Sequence, residues 1–533
     1  MMMQYNKNEI LNYKRPNISS KIKKIERNLK FIVDLYEKKE KINLINNTME
    51  ILNTLKTSRQ ICYIRYYSSG FDKKKESEIL FWNKYDEIID RYDYILLDYL
   101  IKYKMCNLKI SNESEDNVLS KPKIKQIKKL ITAEEKLIKR YNEIINNSCI
   151  SFMGKKLKLK DISNNTQFTD KQKSDIKYLF YENLYYELSD IVVSLIQVRQ
   201  KISIITNEDV YCRFHTFDCT SKQKYRNEIF RVLTLLYDEF AKKYSSKVSF
   251  TNYYSNKIIF YDDKYDEKKF ESCMKRINNN YYKLYNKMKY NGCLNLENNL
   301  NISYSTYLIS KKIPYIIFNK LRTFDDFLYL SHEMGHCIQF DTAANKLNME
   351  QVIFPELDVS EIFSQLFEKY FAYFVTNKKV RLHCIEMEFE KLLFYCLLDE
   401  FQDTIYSMKI ITLEKIEQLW KKLYLRYFKN FNLSGCDFLQ NWKSWILDKQ
   451  MFIHPYYSTN YFISDLVALA DFVNFSNNTM DNLVHNIEEW DIYDYLNYEK
   501  ITVDNLYDFI VKFVKKIESG GKNELNILNI IYA

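Results

Sequence analysis

Glycine and proline are scarce in this chain, 7 and 5 among 533 residues. A turn-rich, all-β protein needs both to close its hairpins, and collagen needs glycine at every third position. Both classes are excluded, and long helices become the expectation. The 11 cysteines are odd in number, irregularly spaced and never in a CxxC pair, so neither a disulfide framework nor a Cys-based zinc site is supported. No uninterrupted run of about 18 apolar residues is present to span a membrane. The opening MMMQYNKNEILNYKRP lacks the apolar stretch of a signal peptide. These absences predict a soluble, cytoplasmic protein with no membrane partner.

What is present is a large apolar content, 46% of positions, beside 28% charged residues. That excludes disorder over the whole chain and suits a large core; length alone suggests about three or four domain-sized units, or fewer. Lysine and arginine exceed aspartate and glutamate by 79 to 69, a net charge of +10. The excess is diffuse, with no basic stripe or recognisable module, so no nucleic-acid partner is expected. The 46 tyrosines fit a Tyr-rich core and surface better than a dedicated aromatic cleft.

Apolar residues recurring at threes and fours predict helices from Ile22 to about Ser58, over 76–107, 124–145, 170–205 and 225–244. Nothing before residue 205 has ligand spacing or a phosphate-loop signature. Residues 1–205 therefore read as a helical region that covers or shapes something else, with 206–533 as the region carrying chemistry. Segment 248–264 has a shortened period and can contain a strand. After a helix over about 265–289, the segment 291–319 has the short β-branched and aromatic runs of two or more strands. Pro314 opens PYIIFN, and proline fits the first residue or the edge of a strand, so Tyr315–Asn319 is expected to be an edge strand to which an extended peptide could add itself. Thr323 then reads as an N-cap with Asp326 at N3, starting the helix TFDDFLYLSHEMGHCIQF. Further helices are expected from about 358 and over 385–430, 438–448, 462–475 and 500–518.

His332, Glu333 and His336 form HEMGH on that helix. A spacing of four puts both imidazoles on one face, one turn apart, where they can share a metal ion. Glu333 adjoins them and can take a proton from a water attacking a carbonyl. Two imidazoles and a carboxylate suit zinc, one ion per chain, with a fourth position left open. With only 6 histidines in the chain, chance placement is a poor explanation. Gly335, inside the helix, costs about 1 kcal/mol against alanine, which suggests close approach of another element. The third ligand is expected to be a carboxylate on a nearby helix: Glu361, 25 residues after His336, with Glu350, Glu356, Asp358 and Glu368 as alternatives.

HEMGH followed after 25 residues by ExxSQxxE closely resembles the M3 family of zinc metallopeptidases, the thimet oligopeptidase and oligoendopeptidase F group, and is most similar to the latter. The phrases STYL, PYIIFN and TFDDFLYLSHEMGH, the segment FIHPYYSTNYF and the ending FVKKIESGGKNELNIL resemble it too. The resemblance is dense from about 300 to 370 and returns at 450–465 and 510–528. It implies a predominantly α-helical, gluzincin-type fold with a small sheet next to the zinc helix and two helical lobes flanking a deep channel. Carried over, His332, His336 and Glu361 are the zinc ligands, Glu333 is the general base, and Ser364, Gln365 and Glu368 complete the motif, with Glu368 orienting a ligand histidine. The implied reaction is hydrolysis of internal bonds in short, unstructured oligopeptides. Tyr315, Ile317 and Asn319 would bind the substrate backbone.

An oxyanion donor is also needed. His454, Tyr456, Tyr457 and Tyr461 lie within one short segment. By the resemblance Tyr461 is the oxyanion donor, with His454, Tyr457 and Tyr456 on the substrate. The order His454–Pro455 reverses the group's usual Pro–His, and the segment lacks the glycines of the thimet-like loop. Two other readings carry the same motifs: a processing peptidase for one particular peptide, and an inactive helical binding protein, against which Glu333 speaks because a scaffold needs no base. His215, His383 and His485 have no partner at ligand spacing and read as structural or surface residues. Cys337 is expected to pack on the far side of its helix.

Overall fold

Helices dominate the computed structural model, which describes residues 16–34, 38–69, 73–102, 121–158, 170–215, 217–244, 266–298, 303–319, 321, 324–348, 350–429, 443–474, 483–484, 486–487 and 490–521. In chain order the first helices are α1 (Ile18–Asp34), α2 (Lys38–Ser68), α3 (Lys73–Asn83), α4 (Asp86–Lys102) and α5 (Lys121–Asn147). A hairpin of β1 (Ile150–Phe152) and β2 (Lys155–Leu157) precedes α6 (Asp170–Thr206), α7 (Cys219–Tyr244), α8 (Glu267–Ile277) and α9 (Asn279–Tyr290). The strands β3 (Leu294–Asn298), β4 (Tyr304–Leu308) and β5 (Ile313–Asn319) come next, then α10 (Phe324–Lys346), α11 (Glu350–Ile353) and α12 (Leu357–Phe374). The chain continues through α13 (Lys378–Ser407), α14 (Leu413–Tyr427), α15 (Lys449–Ile453), α16 (Tyr457–Asn474), α17 (Ile492–Tyr498) and α18 (Leu506–Ser519). The expected strand in 248–264, the Thr323 cap and His485 lie outside the described residues.

Two compact units are formed: one from 1–111, 262–374 and 474–495, the other from 112–261, 375–473 and 496–533. Each unit draws on both sides of residue 205. In the first unit, β5 is the central strand of a three-stranded sheet ordered β3-β5-β4, parallel to β3 and antiparallel to β4. This corrects the expected edge strand: Pro314 opens β5 opposite Tyr307, which satisfies the rule that proline starts a strand, and both of its neighbours are taken. Among the described residues, the edges belong to β3 and β4.

The zinc helix α10 packs on β4 and β5, and its Phe340 and Ala344 join Tyr307 of β4, Ile309 just after it and Ile353 of α11 in one buried cluster. Its other partner is α12. Phe324 stacks on Phe371 at 5.8 Å between ring centroids, and Phe270 of α8 meets Phe327 and Phe371. Between α10 and α12 sits Gly335. A Cβ there would lie 2.5 Å from Phe363 O and 2.6 Å from Ser364 Cα, so the glycine is where the two backbones touch. The α10–α12 connection is tied down by α2. Buried Lys56 pairs with Asp93 and, at 2.9 Å, with Glu350; Arg59 reaches Glu350 at 2.8 Å. Asn53 Nδ2 donates to Asn348 O at 3.0 Å, and Gln339 Nε2 to Ile353 O at 3.0 Å.

In the second unit α7 packs on α13. At one end Lys222 and Arg226 meet Asp399 and Asp403 at 2.5–3.1 Å, and at the other Phe240 meets Phe389. Along α13 lies Glu386, buried with neither carboxylate oxygen hydrogen-bonded. Burial, with Glu390 beside it, pushes its carboxyl up to about 9.

Gly335→Ala forces the α10 and α12 backbones apart. An overpacking of about 1–3 kcal/mol or more is expected, lowering Tm and weakening zinc retention together; an unchanged melt with full zinc content refutes the close-approach account. Glu386 stays protonated in the folded chain while the unfolded chain ionises above its ordinary value of 4.5, so the stability it contributes is lost as pH rises from there to about 9. Glu386→Gln should leave Tm unchanged near pH 4.5 and raise it by a few degrees at about pH 8, as differential scanning calorimetry at the two pH values can check.

Candidate metal centre

One face of α10 presents His332 and His336, and the facing turn of α12 presents Glu361. The donor atoms of these three residues lie within 4.8 Å of one another. Glu361 Oε2 is 3.3 Å from His332 Nε2 and 3.6 Å from His336 Nε2. A tetrahedral zinc ion with bonds of about 2.0–2.1 Å holds its donors roughly 3.3–3.5 Å apart, so the separations already fit the ion. The chemistry of the donors fits as well: a buried carboxylate between two imidazoles is the gluzincin set for a single zinc ion.

The other candidate carboxylates have different work. Glu350 pairs with Lys56 and Arg59, and Glu356 is exposed. Buried Asp358 accepts from its neighbour's Val359 N at 2.8 Å. Glu368 Oε1 accepts from His332 Nδ1 at 2.6 Å. That contact turns His332 Nε2 toward Glu361.

Glu361 and His336 have partners of the same kind. Ser364 Oγ donates to Glu361 Oε2 at 2.7 Å, and Ser360 Oγ lies 3.3 Å from His336 Nδ1. Thus α12 carries the third ligand and an outer partner for every ligand. Burial opposes ionisation of Glu361, but His336 and His332 with the hydrogen bonds from His332 and Ser364 outweigh it and hold the carboxyl at about 2. Burial likewise opposes protonation of His332, and Glu361 and Glu368 raise its pKa well above the ordinary value. His336 is lowered, by burial and by His332. Such a cluster holds one anion firmly and favours a cation at its centre.

Glu333 is buried beside this cluster, and Ser303 Oγ donates to its Oε1. No sequence signal marks Ser303, which precedes β4, or Ser360; both depend on contacts between distant segments. The remaining expected residues are distributed as follows. Tyr315 and Ile317 are buried in β5, and the side chain of Asn319 lies outside the description. Gln365 is buried on α12. In the second unit Tyr461 and Tyr457 join hydroxyl to hydroxyl at 3.1 Å on α16, and the His454 ring lies 6.1 Å from that of Tyr457. Tyr456 points the other way. It is buried, with its ring against Tyr211 and Tyr406 and Lys222 Nζ 4.4 Å above it. His215 Nε2 is 3.3 Å from Pro455 O, a structural contact. Cys337 is fully buried, and burial pushes its thiol well up.

Solved structures of oligopeptidases superpose over nearly the whole chain. A protein named as a candidate oligoendopeptidase F matches with a TM-score of 0.69 at 15% identity, covering 96% of this chain and 98% of its own. Inhibitor-bound PZ peptidase A gives 0.68 at 18% identity, covering 95% and 97%. A candidate oligoendopeptidase F from Bacillus anthracis gives 0.68 at 18%, covering 97% and 98%. The fold is that of oligoendopeptidase F. No family model and no curated protein match the sequence. Among the described residues, no helix is long and apolar enough to cross a membrane.

Removing an outer partner should loosen the metal. Glu368→Ala is expected to weaken zinc binding about 10- to 100-fold, and Ser360→Ala by about tenfold or less, because a neutral hydroxyl orients its imidazole less strongly than a carboxylate. Competition with a chromophoric chelator measures both. Equal affinity in the variants and the parent would dismiss these contacts as incidental.

Proposed function

We propose that this chain is a zinc-dependent endopeptidase acting on internal bonds of short, extended oligopeptides. The observation carrying the reading is the conjunction on α10 and α12 of a buried His–His–Glu cluster with a separate carboxylate, Glu333, adjoining it. When bound, zinc supplies Lewis acidity toward the scissile carbonyl. Glu333 takes the proton of the attacking water and returns it to the leaving amine. Ser303, by its hydrogen bond, fixes one oxygen of Glu333 and leaves the other for that proton.

We assign the substrate strand to the edge of β4 that no described strand covers. β5 has no free edge, whereas β4 begins one residue after the serine that holds the base. A backbone added there gains main-chain hydrogen bonds without demanding particular side chains, which suits a peptidase of unstructured peptides. For the oxyanion we assign Tyr461, with Tyr457 and His454 contacting substrate. A tyrosine hydroxyl is a hydrogen-bond donor of the kind that stabilises a developing oxyanion. The likeness to peptidase structures supports peptides as the substrate class.

Glu333→Gln should bind zinc as the parent does and lower cleavage of a mixed peptide library by about 100-fold or more, the usual worth of a general base. Mass spectrometry of the digests reads the internal cuts. Broad cutting indicates a scavenging oligopeptidase and one narrow sequence a processing enzyme. Equal digests from parent and variant would remove Glu333 as the base, and no digestion at all by zinc-loaded parent would defeat the peptidase reading.

A further inference from the structure

Where α2 meets β4, its last turns carry Tyr63, Tyr66 and Tyr67, all half-buried. The Tyr67 ring lies 4.9 Å from that of Tyr304, 5.6 Å from Tyr66 and 6.4 Å from Tyr63. Tyr304 opens β4 and follows Ser303, the serine that donates to Glu333. Side chains of a strand alternate between its faces. Ser303 and Tyr307 face α10, the latter packing with Phe340 and Ala344, while Tyr304 turns the other way, into the tyrosines of α2.

An extended peptide on the free edge of β4 continues this pleat. If the residue whose carbonyl meets the water activated by Glu333 lies opposite Ser303, the adjacent residue lies opposite Tyr304 and directs its side chain to the α2 face. We propose that Tyr63, Tyr66, Tyr67 and Tyr304 form a specificity subsite for an aromatic side chain adjacent to the scissile bond. The inference rests on the endopeptidase reading above and narrows its substrate class. Half-buried rings offer an apolar body for an aromatic side chain to stack against. The basic group on the same turns, Arg65, is already paired with Glu78 at 3.3 Å, which weakens it as a selector of an acidic side chain.

The test is a peptide series in which one phenylalanine moves through each position of an alanine–serine background, digested by zinc-loaded parent, Tyr67→Ala and Tyr66→Ser proteins. The parent is expected to favour phenylalanine over alanine at one position beside the cut by about tenfold in kcat/KM. In Tyr67→Ala that ratio falls toward one, and Tyr66→Ser carries the same comparison should Tyr67→Ala fail to fold. The ratio is the decisive quantity, because a general loss of stability lowers both rates alike. Binding of the best phenylalanine peptide and its alanine counterpart to Glu333→Gln protein, with and without Tyr67→Ala, should show the same selectivity in Kd. Cleavage without a phenylalanine preference, or a preference that survives in both tyrosine variants, overturns the subsite and leaves the peptidase reading standing. No cleavage of any peptide by the zinc-loaded parent overturns the peptidase reading and the subsite with it.

Discussion

The metal centre depends on one backbone contact, that of Gly335 with Phe363 and Ser364. Two helices bearing side chains at their crossing usually keep their axes about 8–10 Å apart. Ligands on facing helices that must share an ion with bonds near 2 Å leave little slack, and a missing Cβ brings the helices together. The contact lies one residue from His336 and two from Glu361 along their helices. Small changes of helix spacing therefore pass almost undiminished into the separation of the donor atoms. The phenylalanines above the contact, from Phe324 to Phe371, act on the same spacing from the apolar side.

Closeness alone would leave the imidazoles free to rotate. Their orientation comes from the outer contacts of α12, which are spaced along that helix as the ligands require. Ser364 and Glu368, three and seven residues on, share the face that carries Glu361, while Ser360, one residue before it, lies about 100° round the helix and reaches His336. One helix thus delivers a ligand and the partners of all three ligands. The register of α12 against α10 matters correspondingly, and the linker between them is where the first unit invests its buried charge. Lys56 and Arg59 meet Glu350 there. Buried ion pairs add little net stability because desolvation offsets their attraction, but removing one partner is strongly unfavourable. Such a pair is suited to specifying one arrangement of α2, α10 and α11.

The helical character and the metal ligands were legible in the sequence because both are local. HEMGH is set by a spacing of four within one helix, and Glu361 became distinct through the ExxSQxxE pattern. Gly335 was legible as a cost within a helix that had to have a reason. The strand order was not legible: Pro314 restricts β5 to a start or an edge, and only pairing with β3 and β4 decides between them. Helix ends were blurred for a similar cause, since 265–289 breaks at Asn278, whose side chain caps Asn280 N. Ser303 and Ser360 carry no pattern, and their contacts arise from packing. Tyr456 and Tyr457 looked alike as neighbours in a Tyr-rich segment, yet one is core and the other half-exposed.

That last difference has a backbone cause. Tyr456 adopts φ of +60°, a left-handed conformation that costs a side-chain-bearing residue roughly 1–2 kcal/mol. The surrounding unit holds the turn there: Gln402 accepts from Tyr456 N at 2.7 Å, Arg199 donates to Phe452 O at 2.6 Å, and His215 stands at Pro455 O. Lys222, itself paired with Asp399 and Asp403, covers the Tyr456 ring. A glycine would reach the same φ without strain but would also leave it easily. A buried tyrosine in that conformation fixes the chain direction entering α16. Tyr457 and Tyr461 then point where the core of their own unit directs them, and the reversed order His454–Pro455 is accommodated by a rigid turn.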